Sequence, residues 1–385
     1  MNQARSRDNT VTFVSQMNAM PFTRRSAILL LASLTPIAAL ADSISISGTG
    51  ATFPAEVYAE WARQYTKDTN VALNYVPSGS SAGVKQIVAR SVDFGATDVP
   101  LSAADLEKNQ LFQFPTLVGG IVPVINLPGV ASLRLNPEAL AGIFAGEITR
   151  WNDKAIGSLN PGVVLPDTRI ARVVRADGSG TTEVFVRYLK QTAPANAASI
   201  ESQGNLAKWP GATTAVEGSG KLANAVKSTP GAIGYISSDY VLRERLVPVN
   251  LRNKRGEWVV PSTEGFAAAS RAGALFKTSL EAAPLLDIDG PGVWPIVTAT
   301  YVLVPRAPVS VERAGRTLNF FYRSFLLGDK AVAGTGFAPL PLLTQARIVS
   351  LLTSFRSQDG RPIPVLSEKS AATSVAMRAP ANLAR

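Results

Sequence analysis

Ser43-Ile44-Ser45-Ile46-Ser47-Gly48-Thr49-Gly50-Ala51-Thr52-Phe53-Pro54-Ala55-Glu56-Val57-Tyr58 holds the repeating unit of the fold. Residues 43–47 alternate polar and apolar with the period of a strand, and the glycine-broken turn ends at Pro54, which suits an early helical position. From 55 to about 69, Val57, Tyr58, Trp61, Ala62 and Tyr65 recur at helical spacing, predicting an amphipathic helix whose aromatics pack into a core. The pattern repeats as a strand at 71–76, a helix from about 82 to 90 with Val84, Ile87 and Val88 inward, and a strand at 92–96. This alternation predicts an α/β fold with a mainly parallel sheet, helices on its faces and ligands at the carboxyl ends of the strands.

Two glycine-containing or apolar strands interrupt the alternation. Leu117-Val118-Gly119-Gly120-Ile121-Val122-Pro123-Val124-Ile125 reads as an outward crossover, and Trp294-Pro295-Ile296-Val297-Thr298-Ala299-Thr300-Tyr301-Val302-Leu303-Val304 as the return. With 385 residues the chain is long enough for two domains. The expected architecture is therefore two-lobed, with a cleft between the lobes and two hinge crossovers: 42–117 and 297–385 form lobe 1, and 118–296 form lobe 2. The Ala- and Ser-rich tail from about 367 is expected to be disordered.

The chain contains no histidine and no cysteine. Imidazole-based triads, thiol nucleophiles, His/Cys metal sites and disulfides are thereby excluded, and chemistry must rest on carboxylates, hydroxyls, Lys and Arg. Neither cofactor nor metal is expected. Arg24 and Arg25 precede a small, apolar run closing on Ala39-Leu40-Ala41, the pattern of a signal peptide over 1–41 cleaved near Ala41. The run is too short to span a bilayer, so a product free in the periplasm is expected. The net charge is +10 for the full chain, and removing residues 1–41, with four Arg and one Asp, leaves +7. Lys and Arg are scattered without a basic tract, the pattern of a solvated surface and not of a nucleic-acid interface.

Three turns carry the candidate site. Val174-Arg175-Ala176-Asp177-Gly178-Ser179-Gly180-Thr181-Thr182 leads into a helix with Val184, Phe185, Tyr188 and Leu189 on one face. Gly48-Thr49-Gly50-Ala51-Thr52-Phe53-Pro54 and Ser78-Gly79-Ser80-Ser81-Ala82-Gly83 have the same strand–turn–helix design. Each offers amides at a helix N-terminus beside a hydroxyl, which favours a small anion. Asp98, in Thr97-Asp98-Val99-Pro100, makes sense beside an anion only if that anion has a proton to donate. Phosphate has one at neutral pH and sulfate has none; two like charges ~3 Å apart at an effective dielectric of about 20 repel by roughly 5 kcal/mol. Two other motifs are set aside. Gly218-Ser219-Gly220-Lys221 lacks the spacing of a nucleotide P-loop and reads as a loop, and Asp287-Ile288-Asp289-Gly290 does not continue into a calcium loop.

Gly50-Ala51-Thr52-Phe53-Pro54, Gly79-Ser80-Ser81, Val84-Lys85-Gln86-Ile87, Val92-Asp93-Phe94-Gly95-Ala96, Phe112-Gln113-Phe114-Pro115-Thr116, Arg175-Ala176-Asp177-Gly178-Ser179-Gly180-Thr181 and Pro230-Gly231-Ala232-Ile233-Gly234-Tyr235 occur in that order. Together they resemble the PstS-type periplasmic phosphate-binding proteins of phosphate ABC transporters, over about residues 46–364. The resemblance implies a two-lobed periplasmic binding protein, not an enzyme, that binds inorganic phosphate and delivers it to a membrane permease as a monomer. It implies phosphate ligation by the hydroxyl and amide of Thr52, the Phe53 amide, the hydroxyl and amide of Ser80, Asp98 as proton acceptor, Arg175 as the cation, and Ser179, Gly180 and Thr181. Asp177 would orient Arg175. Ala82 stands where the family usually has glycine. The competing expectation is a secreted phosphatase or phosphoryl-transfer enzyme with Ser80, Thr52 or Ser179 as nucleophile and Asp98 as base.

Overall fold

The computed structural model describes residues 45–273, 275–278 and 281–365. The expected leader and its cleavage position near Ala41, the first two residues of the 43–47 run, and the tail from 367 lie outside the described residues. The chain runs β1 (Ile46–Gly50), α1 (Ala55–Thr69), β2 (Leu73–Val76), α2 (Ser80–Val88), β3 (Phe94–Thr97), α3 (Ala103–Lys108) and the long strand β4 (Leu111–Asn126). Next come β5 (Leu133–Leu135), α4 (Pro137–Ala145), α5 (Lys154–Gly157), β6 (Ala171–Arg175), α6 (Gly180–Thr192), β7 (Glu201–Gln203), β8 (Leu206–Lys208), β9 (Thr214–Val216) and α7 (Gly218–Ser228). Then follow β10 (Ala232–Ser237), α8 (Ser238–Arg243), β11 (Val247–Arg252), β12 (Trp258–Val259), α9 (Thr263–Ala272), β13 (Phe276–Thr278), β14 (Glu281–Ala282) and β15 (Leu285–Leu286). The chain returns through β16 (Ile296–Pro305) to α10 (Val311–Leu327), α11 (Asp329–Val332) and α12 (Leu342–Thr353).

The main sheet is ordered β2-β1-β3-β16-β4-β10-β6-β9. It is not mainly parallel as expected: parallel ladders join β2-β1-β3 and β10-β6-β9, but the β3-β16, β16-β4 and β4-β10 pairs are antiparallel. The reason lies in the two crossing strands. β4 pairs with β16 from Leu111 to Gly120 and with β10 from Ile121 to Asn126, so one continuous strand passes from one set of partners to the other. This is an α/β architecture of the two-lobed type, in which β4 passes between the two sets of parallel strands. Both crossing strands are buried along nearly their whole length, which explains why they read as continuous apolar runs.

Helix α1 spans the expected residues and buries Val57, Tyr58, Trp61, Ala62 and Tyr65, ending at Asn70 in a left-handed cap. Tyr58 packs against Trp61, Tyr75, Phe94 and Phe321, which makes these aromatics core. Helix α2 starts two residues before the expected position and buries Ser80, Gly83 and Ile87, while Val88 is exposed. The small residues Ser80 and Gly83, not a valine ridge, face the sheet, so α2 lies close to β1 and β3. Helix α6 buries Val184, Phe185, Tyr188 and Leu189 as expected, and the ring of Phe185 stacks on Tyr235 of β10 with centroids 4.4 Å apart.

Candidate anion-binding site

Strand–turn–helix connections place the candidate residues at the carboxyl ends of β1, β2, β3 and β6. The turns bond to one another: Ala51 N donates to Ala96 O at 2.9 Å, Gly79 N to Gly50 O at 2.8 Å, and Ser81 N to Gly178 O at 3.1 Å. Tyr75 Oη donates to Ala51 O at 2.6 Å, holding the β1–α1 turn from below. Thr52, Phe53, Ser80, Asp98, Arg175, Ser179, Gly180 and Thr181 are all buried. Their convergence follows from contacts across the fold that link the 52, 80, 98 and 180 segments.

Ser80 is the junction of three segments. Its Oγ accepts from the Asp98 amide at 3.3 Å and from the Gly180 amide at 3.2 Å. Ser179 caps α6, its hydroxyl accepting from Thr182 N at 3.3 Å. Phe53 anchors the first turn through its ring, 4.9 Å from that of Phe337. A Cβ at Gly180 would fall 2.5 Å from Ser80 Oγ and 2.9 Å from Asp98 Cβ, so only glycine lets the start of α6 reach the other two segments. Gly180→Ala is expected to keep the fold and to weaken ligand binding by roughly tenfold or more, because the methyl separates surfaces that must meet. Calorimetry beside circular dichroism checks it.

Arg175 is held in a fork. Its Nε donates to Asp177 Oδ1 at 2.6 Å and its Nη2 pairs with Asp177 Oδ2, while Nη1 donates to Ser219 Oγ at 3.1 Å and Thr52 Oγ1 at 3.3 Å. The Asp177 carboxyl feels burial first, which would raise its pKa. The Arg175 hydrogen bonds and charge, with the Gly218 amide at 2.9 Å, outweigh burial and hold it below the ordinary range. Two residues apart in sequence, Arg175 and Asp177 thus form a bidentate pair.

Asp98 sits in the opposite kind of environment. Thr300 Oγ1 donates to its Oδ1 at 2.9 Å and Thr298 Oγ1 to its backbone carbonyl at 2.7 Å. Burial pushes the carboxyl up to about 7, against the downward pull of the Thr300 hydroxyl, the Arg175 charge and the Thr181 hydroxyl; Asp239 adds a smaller upward push. The result is a carboxyl poised to hold or receive a proton near neutrality, with threonine hydroxyls as its donors.

Sequence reasoning missed four contributors. Thr298 and Thr300 are two apart on β16, one face of a strand otherwise apolar, and that spacing was the available signal. Tyr235 Oη accepts from Arg175 N at 3.3 Å and bonds Thr182 Oγ1 at 2.8 Å. Ser219 belongs to Gly218-Ser219-Gly220-Lys221, which is not a loop: Gly218 opens α7, and Ser219 Oγ lies 2.7 Å from Thr52 Oγ1. The turn glycines suggested a loop, but the amide of Gly218 finds its acceptor in Asp177, so the segment is a fourth helix start at the same place. Among the described residues no group of three or more Asp or Glu side chains is placed to hold a metal ion.

A binding protein of the PBP class is what this fold and its gathered polar residues define, and residues 36–323 match the PBP superfamily domain. The phosphate-binding protein PstS of Xylella fastidiosa (strain Temecula1) is 37% identical over 308 residues, covering 80% of this chain and 84% of that protein. PstS of Pasteurella multocida is 36% identical over 345 residues, covering 88% and 99%. The chain belongs to the PstS family of phosphate-binding proteins. Its fold also matches that of a high-affinity periplasmic phosphate-binding protein, PfluDING, solved bound with phosphate, at a TM-score of 0.66 and 22% identity over 84% of this chain and 97% of that one.

Proposed function

We propose that this protein binds inorganic phosphate between its lobes in the periplasm and delivers it to the permease of a phosphate ABC transporter. The observation that carries the reading is the pairing of one fork-held guanidinium, Arg175, with one poised carboxyl, Asp98, inside a shell of amides and hydroxyls from Thr52, Phe53, Ser80, Ser179, Gly180 and Thr181. Arg175, partly balanced by Asp177, attracts the anion; Asp98 accepts the proton that phosphate carries and that sulfate lacks. Of the expected lobes, the described part of 42–117 with 297–385 forms one and that of 118–296 the other, and closure between them buries the ligand and gives the permease a distinguishable shape. Residues 1–41 direct export, and the exported product is soluble and monomeric. Among the described residues no helix is long and apolar enough to cross a membrane.

Phosphoryl transfer is the weaker reading. Ser80 Oγ accepts from the Asp98 and Gly180 amides, bonds that make the hydroxyl a junction between segments and do not pair it with the Asp98 carboxyl. Titration calorimetry on the purified protein, dialysed free of phosphate, tests the proposal. Saturable binding of phosphate with sulfate weaker by roughly 10⁴-fold is expected; equal affinity for the two anions contradicts it.

A further inference from the structure

We infer that Ser219 is a positioning residue that fixes the direction of a hydrogen-bond relay from Arg175 to Thr52, so that the Thr52 hydroxyl proton points to the bound phosphate. The inference rests on the proposed phosphate reading and goes beyond it in assigning a role to α7.

The geometry leaves two orders of donors, and the choice between them depends on which hydroxyl faces the anion. Arg175 Nη1 can only donate, and its two acceptors are Ser219 Oγ at 3.1 Å and Thr52 Oγ1 at 3.3 Å. The two hydroxyls lie 2.7 Å apart, so one donates to the other. Each has a single proton. If Thr52 gave its proton to Ser219, Ser219 would have to be the hydroxyl that donates to the anion, whereas the proposed phosphate shell includes Thr52 and not Ser219. If Ser219 gives its proton to Thr52, the chain runs Arg175 N–H to Ser219 oxygen, Ser219 O–H to Thr52 oxygen, and Thr52 O–H to the anion. Every proton then points toward the negative charge, and each bond polarises the next.

The location of Ser219 supports this role. It is buried in the first turn of an eleven-residue helix, and the residue before it, Gly218, has φ +76°, a left-handed conformation that lets the chain turn into the helix there. The Gly218 amide bonds the same Asp177 carboxylate that clamps Arg175, so α7, Arg175 and Ser219 are held as one unit. Thr52 lies 167 residues earlier in sequence, at the turn that leads into α1. Ser219 therefore acts on the ligand through Thr52.

A double-mutant cycle read by calorimetry with inorganic phosphate tests this in the purified protein. Ser219→Ala is expected to weaken binding about tenfold, the scale of one hydrogen bond to a charged ligand network, and Ser219→Thr to stay within roughly threefold of the parent. Thr52→Val is expected to weaken binding by at least as much as Ser219→Ala. Adding Ser219→Ala to Thr52→Val is expected to change affinity little further, because the relay then has no end. Unchanged affinity in Ser219→Ala, or losses that add in full in the double variant, overturns the inference while leaving phosphate binding intact. Absence of phosphate binding in the parent overturns both readings. Should Ser219→Ala fail to fold, Ser219→Cys keeps the volume with a weak hydrogen-bonding group, and parent-like affinity in that variant overturns the relay.

Discussion

Arg175→Ala is expected to lower phosphate affinity by about 10²- to 10³-fold and to destabilise the protein at the same time. The side chain is 2% exposed and makes four hydrogen bonds, two to Asp177 and one each to Thr52 and Ser219. Removing it takes away the cation of the site and loosens the two hydroxyls it aligns. Charge-assisted hydrogen bonds contribute roughly 1.5–3 kcal/mol each, so loss of one or two that would reach the ligand covers the expected range. The stability loss has a separate origin. Asp177 keeps the Gly218 amide but loses its counter-charge, and stranding one member of a buried pair costs about 3–5 kcal/mol, reduced here because the Asp177 side chain is 18% exposed. Thermal melts should therefore recover in Arg175→Ala/Asp177→Ala while calorimetry continues to show weak binding. An Arg175→Ala protein that binds phosphate within about threefold of the parent contradicts the role given to the guanidinium. Arg175→Lys is expected to rescue little, because an ammonium cannot satisfy a two-oxygen fork and two hydroxyls together.

Asp98→Asn should change selectivity more than affinity. The amide keeps an acceptor for the phosphate proton and adds a donor for sulfate, so discrimination between the anions is expected to collapse by about 10²-fold or more while phosphate affinity falls less. Unchanged discrimination refutes proton sensing by Asp98. The same carboxyl predicts a pH dependence. Burial pushes it up to about 7 in the folded protein, against roughly 4 when unfolded, so between these values the folded state holds more protons than the unfolded one. Stability of the phosphate-free protein should accordingly be greatest at the acid end of this window and fall as pH rises toward 7, by an amount on the order of 3 kcal/mol from this group. Asp239 is also pushed up to about 7 by burial, so Asp98→Asn should reduce the slope and not abolish it. Sulfate binding to the parent should strengthen as pH falls from about 8 toward about 7 and level off below it, once Asp98 is protonated and serves as a donor. Melting temperatures and sulfate titrations from pH 5 to about 8 measure both effects.

How much of the site was legible depended on how local its chemistry is. The Arg175–Asp177 pair spans two residues, and the turns at 52, 80 and 180 each combine a glycine, a hydroxyl and a following helix within a few positions. The face of α1 was legible for the same reason, since five buried residues recur at helical spacing. The face of α2 was not. Its buried side consists of Ser80, Gly83 and Ile87, chosen by the closeness of the sheet and not by hydrophobicity, so reading valines inward misplaced Val88. The segment at 218–221 failed for a related reason: its glycines signal a turn, and only Asp177, forty-one residues away, makes that turn the start of a helix.

By itself the sequence determined the strand–turn–helix units, the absence of imidazole and thiol chemistry, and the motifs that mark the PstS family, because each depends on residue type and short spacing. Tertiary structure alone decided that β4 changes partner between Gly120 and Ile121, that Thr300 and Ser219 join the site, that Gly180 must be glycine, and that the Asp98 carboxyl is pushed toward neutrality. Those features depend on burial and on groups brought together from distant parts of the chain, and neither the loss of water nor a contact across 202 residues is encoded in any local pattern.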